Sequence, residues 1–255
     1  MLSRIRTFSA SIAASCALVA VPALGMEVVA AAGDDVDLEC GGADTAVTLD
    51  GTGSTTGSDI SYEWTAPGVS FDDATSLTPT GEFPAGTTTV LLTVTFTDPV
   101  TAEVMASSDE VEISVADTTP PTIYAKASPG VLWPPNHKMH EIDVDLHVED
   151  ACDEDPDVVL YSIESSESDN GRGDGNTTDD IQSARTDRYD THFMIRAERQ
   201  GSGDGRVYTV VYRATDDSGN YSDAAAQIHT PHDMRHYKRA MKADRKATKA
   251  AAKAA

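Results

Sequence analysis

The sequence predicts an all-β protein, made of two tandem β-sandwiches and a basic helix at the C-terminus. Short segments in which apolar and polar residues alternate recur from about residue 36 to residue 229. Clusters of Gly, Ser, Thr and Asp separate them, as expected for antiparallel strands joined by turns. The last 22 residues are instead rich in Ala, Lys and Arg, which favour helix.

The strand pattern of the first half is clearest in three segments. They run from Ile60 to Trp64, from Thr88 to Phe96 and from Val111 to Val115. Each has a two-residue period, which places alternate side chains on one face. Trp64 shares its face with Ile60 and Tyr62, so we expect it in the core. The pattern predicts one sandwich over residues 34–117.

The second half repeats this pattern over residues 118–232. Ile142 to Val148 alternates without interruption, and Val207 to Ala214 is a further strand candidate. The two halves are joined by Asp117-Thr-Thr-Pro-Pro-Thr-Ile123, whose consecutive prolines favour extended backbone. We therefore expect a stiff connection rather than a flexible tether.

Motifs in the first half resemble the PKD-type repeat (polycystic-kidney-disease repeat), an immunoglobulin-like sandwich common in exported bacterial proteins. These motifs are Val47-Thr-Leu-Asp-Gly-Thr-Gly-Ser54, Tyr62-Glu-Trp64 and the segment from Phe83 to Asp98. The resemblance covers most of residues 34–117 and implies an immunoglobulin-like fold there.

Motifs in the second half resemble the hyalin-repeat-like, immunoglobulin-like module of secreted bacterial proteins. They include Leu132-Trp-Pro-Pro-Asn-His-Lys-Met139, Glu167-Ser-Asp-Asn-Gly-Arg-Gly-Asp-Gly175, Gly205-Arg-Val-Tyr-Thr-Val210 and Ala214-Thr-Asp-Asp-Ser-Gly-Asn220. This resemblance spans nearly all of residues 117–233. It implies a non-catalytic extracellular module with an interaction or structural role.

The N-terminus has the layout of a secretory signal peptide over residues 1–25. Arg4 and Arg6 precede an apolar run from Ile12 to Leu24, which is too short for a membrane span. No other segment is apolar enough to cross a membrane. We therefore expect the protein to be secreted or at the cell surface, in an extracellular or periplasmic compartment.

Charge is distributed very unevenly. Residues 26–119 contain 18 Asp and Glu but no Lys or Arg, and residues 120–232 contain 22 acidic against nine basic residues. This body, with a net charge of −31, would repel nucleic acid phosphates and anionic lipids. The composition therefore disfavours nucleic acid binding by the body.

Cys40 and Cys152 are the cysteines that remain after removal of the signal peptide. In an oxidising compartment two remaining thiols most simply form a disulfide, which would connect the two halves. Two separately buried thiols are the alternative.

Acidic turns of the second half provide candidate ligands for a metal ion. Hard oxygen ligands at irregular spacing suit calcium better than zinc, although they do not form an EF-hand pattern. The alternative is solvated acidic loops, and we expect Arg196, Arg199, Arg206 and Arg213 to neutralise nearby carboxylates. The candidate calcium ligands are Asp150, Asp153, Glu167, Asp169, Asp174, Asp216 and Asn220.

The tail, residues 233–255, contains eight basic and two acidic residues. It lacks a wide apolar stripe, which argues against insertion into a membrane. It could lie on the acidic face of the protein, contact anionic polymers of the cell envelope, or remain solvated.

These features predict a non-catalytic module for binding, adhesion or scaffolding, with an extracellular protein or polysaccharide as ligand. The sequence contains no Gly-x-Ser-x-Gly elbow, phosphate loop or His-Glu-x-x-His motif, so it suggests no catalytic residues and no organic cofactor. Two alternatives are an accessory, substrate-targeting part of a hydrolase system and a periplasmic structural protein anchored by its tail.

Overall fold

The structure is a computed structural model that describes residues 27–254. The predicted signal peptide lies outside the described residues. The first half contains seven strands: β1 Val36–Glu39, β2 Thr45–Thr48, β3 Ile60–Thr65, β4 Ser70–Phe71, β5 Thr80–Phe83, β6 Gly86–Thr97 and β7 Val104–Ala116.

The first sandwich consists of a four-stranded sheet, in the order β1-β7-β6-β3, and a three-stranded sheet, in the order β2-β5-β4. Strand β1 pairs in parallel with β7, whereas the other pairs are antiparallel. Trp64 on β3 is 1% exposed, and its indole Nε1 donates to the carbonyl of Ser76 at 2.9 Å. The predicted core position of Trp64 is confirmed.

The second half also contains seven strands, followed by one helix. These elements are β8 Thr122–Ser128, β9 Met139–Glu149, β10 Asp157–Ser165, β11 Ile181–Gln182, β12 His192–Arg196, β13 Gly205–Thr215, β14 Tyr221–Pro231 and α1 Met234–Ala254. They form a three-stranded sheet, β10-β13-β14, and a four-stranded sheet, β11-β12-β9-β8.

Both halves have the strand order of an immunoglobulin-like fold. In the second sandwich, the first, second, fourth and fifth strands share one sheet and the third, sixth and seventh share the other, as in a constant-type domain. Each half has its own hydrophobic core, one formed by residues between 32 and 115 and the other by residues between 125 and 228. The predicted all-β immunoglobulin-like fold and the C-terminal helix are confirmed.

The second sandwich has two ends with different neighbours. At the junction end, β9 and β13 finish and β8, β10 and β14 begin, next to the connection from the first sandwich. At the opposite, distal end, β10, β12 and β14 finish and α1 follows. Among the described residues, no helix is long and apolar enough to cross a membrane.

Covalent and polar contacts connect the two sandwiches. Cys40, directly after β1, forms a disulfide with Cys152 in the loop after β9. The Glu39 carboxylate accepts from Thr118 N–H at 2.9 Å and from both hydroxyls of Thr118 and Thr119, at 2.7 and 2.8 Å. These contacts hold the end of β1 against the connection between the sandwiches.

Candidate cation site at the junction of the two sandwiches

Three aspartates from the ends of three long strands meet where the sandwiches join. Asp117 directly follows β7 of the first sandwich, while Asp150 and Asp216 directly follow β9 and β13 of the second. We call Asp117, Asp150 and Asp216 the junction cluster. Its members come from distant parts of the sequence, so only the tertiary fold brings them together.

Two carboxylates of the junction cluster lie close enough to share an ion. A carboxylate oxygen of Asp117, one of Asp150 and the Sγ of Cys152 all lie within 4.8 Å of one another. The sulfur is part of the disulfide, so it is not available as a thiolate ligand. The usable donors at this point are carboxylate oxygens.

Local hydrogen bonds fix the positions of these carboxylates. Oδ1 of Asp150 accepts from the backbone N–H groups of Cys152 and Asp153, at 2.8 and 3.0 Å. The side-chain amide of Asn220 donates to Oδ2 of Asp216 at 2.9 Å and to the carbonyl of Asp117 at 3.1 Å. This one amide connects the turn after β13 to the residue that ends the first sandwich.

In the part of the chain that the structure describes, the carboxylates of the junction cluster lie close together without an ion-paired basic side chain to balance their negative charge. Burial, followed by the charges of Asp216, Asp150 and Glu39, raises the pKa of Asp117, against a hydrogen bond from Thr119 N–H that lowers it. Within residues 27–254, the ion pairs of Lys, Arg and His involve none of the three cluster aspartates. A cation at this place would relieve the repulsion between the carboxylates.

The donor set suits a hard cation that accepts oxygen ligands. Calcium takes six to eight oxygens in a flexible geometry and accepts water to complete its coordination. Asp117 and Asp150 can supply carboxylate oxygens directly. Asp216 is 6% exposed, and its two oxygens already accept from the backbone N–H and the side-chain amide of Asn220, at 2.7 and 2.9 Å. Asp153 is less suited, because its two oxygens already accept the N–H groups of Asp155 and Asp217 at 2.9 and 3.0 Å.

A second group of acidic residues lies at the distal end, and arginine neutralises it. We call Glu167, Asp174, Asp180 and Glu198 the distal cluster. Arg206 lies at its centre and is fully buried. Its guanidinium donates from Nε to Glu167 at 3.1 Å and from Nη1 to Asp180, and Nη2 lies 3.7 Å from Asp174.

Further hydrogen bonds satisfy most of the remaining oxygens of the distal cluster. Arg196 Nε donates to Asp180 at 2.9 Å, and the Thr177 hydroxyl donates to Glu198. Burial raises the pKa of Asp180, against hydrogen bonds from the two arginines that lower it. The distal cluster is therefore a network of structural ion pairs that attaches the loop after β10 to the core.

The seven predicted ligands do not form one site. Asp150, Asp153, Asp216 and Asn220 lie at the junction. Glu167 and Asp174 lie beside Arg206, and Asp169 accepts the backbone N–H groups of Asp179 and Asp180 at 3.0 and 2.8 Å. Sequence reasoning also placed no functional role on Asp117 or Glu39. For Asp117, the available signal was its position at the start of the Pro-rich connection. Glu39 ends β1 and meets that connection only in the folded structure, so no such signal for it exists in the sequence.

The arginines expected to neutralise carboxylates do so in three of four cases. Arg196 and Arg206 pair within the distal cluster, and Arg213 binds both oxygens of Asp223, at 2.8 and 2.9 Å. Arg199 instead donates to the carbonyls of Gln200 and Gly201. Its loop turns the guanidinium toward the backbone.

Comparison with known proteins gives only distant structural similarity. No family model matches the chain, and no curated protein matches it. A nucleoside hydrolase-related hypothetical protein from Saccharophagus degradans, associated with carbohydrate metabolism, is 22% identical over 35% of this chain and 25% of that chain, with a TM-score of 0.28.

Two other solved structures cover more of the chain. The fibronectin(III)-like modules of Clostridium thermocellum CbhA are 13% identical over 80% of this chain and 94% of that chain, with a TM-score of 0.27. A Dscam isoform is 10% identical over 80% of this chain and 46% of that chain, with a TM-score of 0.25. Similarity at this level carries no argument about function, so the PKD-type and hyalin-repeat-like resemblances stay predictions.

Proposed function

We propose that this protein is an exported, non-catalytic binding or adhesion module whose two sandwiches are held together by calcium at the junction cluster. The observation that carries this proposal is the convergence of the Asp117 and Asp150 carboxylates to within 4.8 Å at the point where the sandwiches meet. Calcium would bridge the last residue of one sandwich and a loop of the other. The disulfide and the Glu39 hydrogen bonds support the same role, because they restrict the same joint.

Stiffness at this joint matters for a two-domain adhesion module. Two domains on a flexible connection lose conformational entropy when both contact a ligand, and a fixed connection reduces that cost. The PKD-type and hyalin-repeat-like resemblances and the predicted signal peptide are consistent with such a module outside the cell. The ligand class we propose is an extracellular protein or polysaccharide.

Calcium titration by calorimetry tests the metal site. We expect the wild-type mature chain to bind calcium and the Asp117→Asn, Asp150→Asn variant to lose about tenfold or more in affinity, because ligand charge tunes calcium affinity. The Glu110→Gln, Glu112→Gln variant is the matched control, since it removes two exposed carboxylates from β7. Equal affinities in both variants, or no calcium binding by the wild type, would refute the site.

Small-angle scattering tests the mechanical role. Calcium should narrow the distribution of distances between the two sandwiches in the wild type and leave it unchanged in the Asp117→Asn, Asp150→Asn variant. A wild-type distribution that does not respond to saturating calcium would reject stiffening, even if the ion binds. Turnover of any substrate by the purified mature chain would contradict the non-catalytic part of the proposal.

A further inference from the structure

The C-terminal helix presents all its basic residues on one side. The eight Lys and Arg residues of α1, from Arg235 to Lys253, follow one another at intervals of three, one, three, three, one, three and four residues. At 3.6 residues per turn, these intervals place all eight within an arc of about 120°. We call these eight side chains the basic stripe.

The basic stripe is accessible along its whole length. Its eight residues are all exposed, whereas Met234, Tyr237 and Met241 on the neighbouring side are half-buried. Tyr237 packs its ring 5.2 Å from the ring of His229 on β14. The first two turns of α1 therefore attach it to the second sandwich, and the remaining turns lie in solvent.

The high positive charge of α1 and its limited length both indicate that contact with a further partner would stabilise this helix. Across the described residues, the ion pairs involve none of the stripe residues. Repulsion between like charges three and four residues apart destabilises a helix, and a helix of this length is marginal alone. An acidic partner surface would offset the repulsion.

The first sandwich carries a matching surface. The outer face of its four-stranded sheet presents exposed carboxylates from three strands and the segment before β1, with Ser and Thr between them. We call Asp35, Asp37, Glu63, Glu110 and Glu112 the acidic face. Strands β1 and β7 are adjacent, whereas β3, which carries Glu63, is separated from β7 by β6. Asp35 accepts the backbone N–H of Glu112 at 2.9 Å. Residues 26–119 contain no Lys or Arg to neutralise this face.

We propose that the basic stripe of one copy docks on the acidic face of a second copy of this chain. Both surfaces are exposed and opposite in charge, and the ion pairs found within residues 27–254 involve neither of them. Charge complementarity of this kind selects partners and accelerates their encounter. A second copy supplies such a surface, because its acidic face carries exposed carboxylates that no Lys or Arg of residues 26–119 neutralises.

The position of the helix disfavours docking within one chain. Strand β14 runs 11 residues from the junction end to the distal end, a distance of about 35 Å, and α1 starts beyond it. To reach the acidic face of its own chain, α1 would have to run back along the second sandwich. Residues 242–253 of the helix are exposed instead. An interface between two different surfaces produces head-to-tail chains or rings of copies.

Sedimentation velocity of the full mature chain, in EDTA and low salt, tests this interface independently of the calcium site. We expect the wild type to associate as its concentration rises and to dissociate in high salt, because salt screens exposed charges. The Lys242→Glu, Lys249→Glu variant should weaken association at least tenfold. The matched control places four glutamates outside the stripe and so changes the net charge by the same amount; it is Ala240→Glu, Ala243→Glu, Ala247→Glu, Ala251→Glu. It should associate more strongly than the stripe variant.

Mixing two variants decides the head-to-tail geometry. The Glu110→Lys, Glu112→Lys variant damages the acidic face but keeps the stripe, whereas the Lys242→Glu, Lys249→Glu variant does the opposite. Each should stay monomeric alone, and an equimolar mixture should form a dimer of one copy each and nothing larger. A monomeric wild type, a mixture that stays monomeric, or stripe-dependent binding to heparin without self-association would overturn the proposal.

Discussion

The second sandwich carries an acidic cluster at each end, and the two differ in what balances their charge. At the distal end, Arg206 and Arg196 lie among Glu167, Asp174, Asp180 and Glu198. At the junction, the described residues offer no such cation to the three cluster aspartates. The density of carboxylates in a loop therefore does not identify an ion site. Whether a neighbouring strand places an arginine among the carboxylates, as β13 does with Arg206, decides whether they need a bound cation.

Removing the arginine of the distal cluster should have the largest effect. Arg206→Met leaves several buried carboxylates without their counter-ion, so we expect it to lower the free energy of unfolding by about 3–5 kcal/mol. Urea denaturation followed by circular dichroism measures this. Arg213→Met is the control, because its pair with Asp223 is partly exposed and should contribute much less than the buried pairs of Arg206. Equal losses in the two variants would contradict the structural role of the distal cluster.

The disulfide at the junction should have the next largest effect. Cys40 and Cys152 are 112 residues apart in the sequence, and a cross-link over such a loop typically contributes about 2–4 kcal/mol. We expect Cys40→Ser with Cys152→Ser to lose that amount and to bind calcium more weakly, since the joint is less restricted. Reduced wild type should behave like this variant in both measurements. Unchanged calcium affinity would separate the disulfide from the ion site.

Titration should distinguish Asp117 from Glu39, although both end strands at the same joint. The pKa of Asp117 is raised above its ordinary 3.8, so its contribution to stability is present below that value and is lost as pH rises through the folded pKa. The pKa of Glu39 is lowered from 4.5, mainly by the Thr118 hydroxyl, so its contribution is present above 4.5 and is lost as pH falls.

Carbon-13 NMR of the side-chain carboxyls measures these two titrations. In the absence of calcium, Asp117 should titrate above 3.8 and Glu39 below 4.5, and calcium should lower the pKa of Asp117 strongly. A titration of Asp117 that is insensitive to calcium would show that the ion lies elsewhere. The Asp117→Asn variant should also lose the part of the pH dependence of stability that lies above 3.8.

The fold could be predicted from the sequence because strands and helices leave patterns among residues that are close together in the chain. The two-residue period of β6, β7, β9 and β13 identifies strands directly, and the change in composition at residue 234 identifies α1. The same period places Arg206 on the inward face with Tyr208 and Tyr212. An inward arginine in a strand was therefore a signal for a buried acidic partner.

The junction cluster could be predicted only in part. Asp150 and Asp216 stand out as acidic turns, but their distance from Asp117 depends on how the first sandwich meets the second. No sequence period carries that information. The loop containing Glu167 and Asp174 appeared equally suited to calcium, because sequence spacing does not show which loops lie at the same end of a sandwich.

The smallest expected change in stability comes from two aspartates with similar hydrogen bonds, one at each end of the second sandwich. Asp150 and Asp169 each accept two backbone N–H groups, at 2.8 and 3.0 Å in both cases. Asp150 accepts both groups through Oδ1, so asparagine can keep both hydrogen bonds and Asp150→Asn should cost less than about 1 kcal/mol of stability. Asp169 accepts one group on each oxygen, so Asp169→Asn loses one hydrogen bond and should cost about 1 kcal/mol. Only Asp150→Asn should weaken calcium binding in calorimetry, since Asp169 lies outside the junction cluster. Weaker binding in Asp169→Asn alone would move the ion site to the distal end and reverse the assignment of the two clusters.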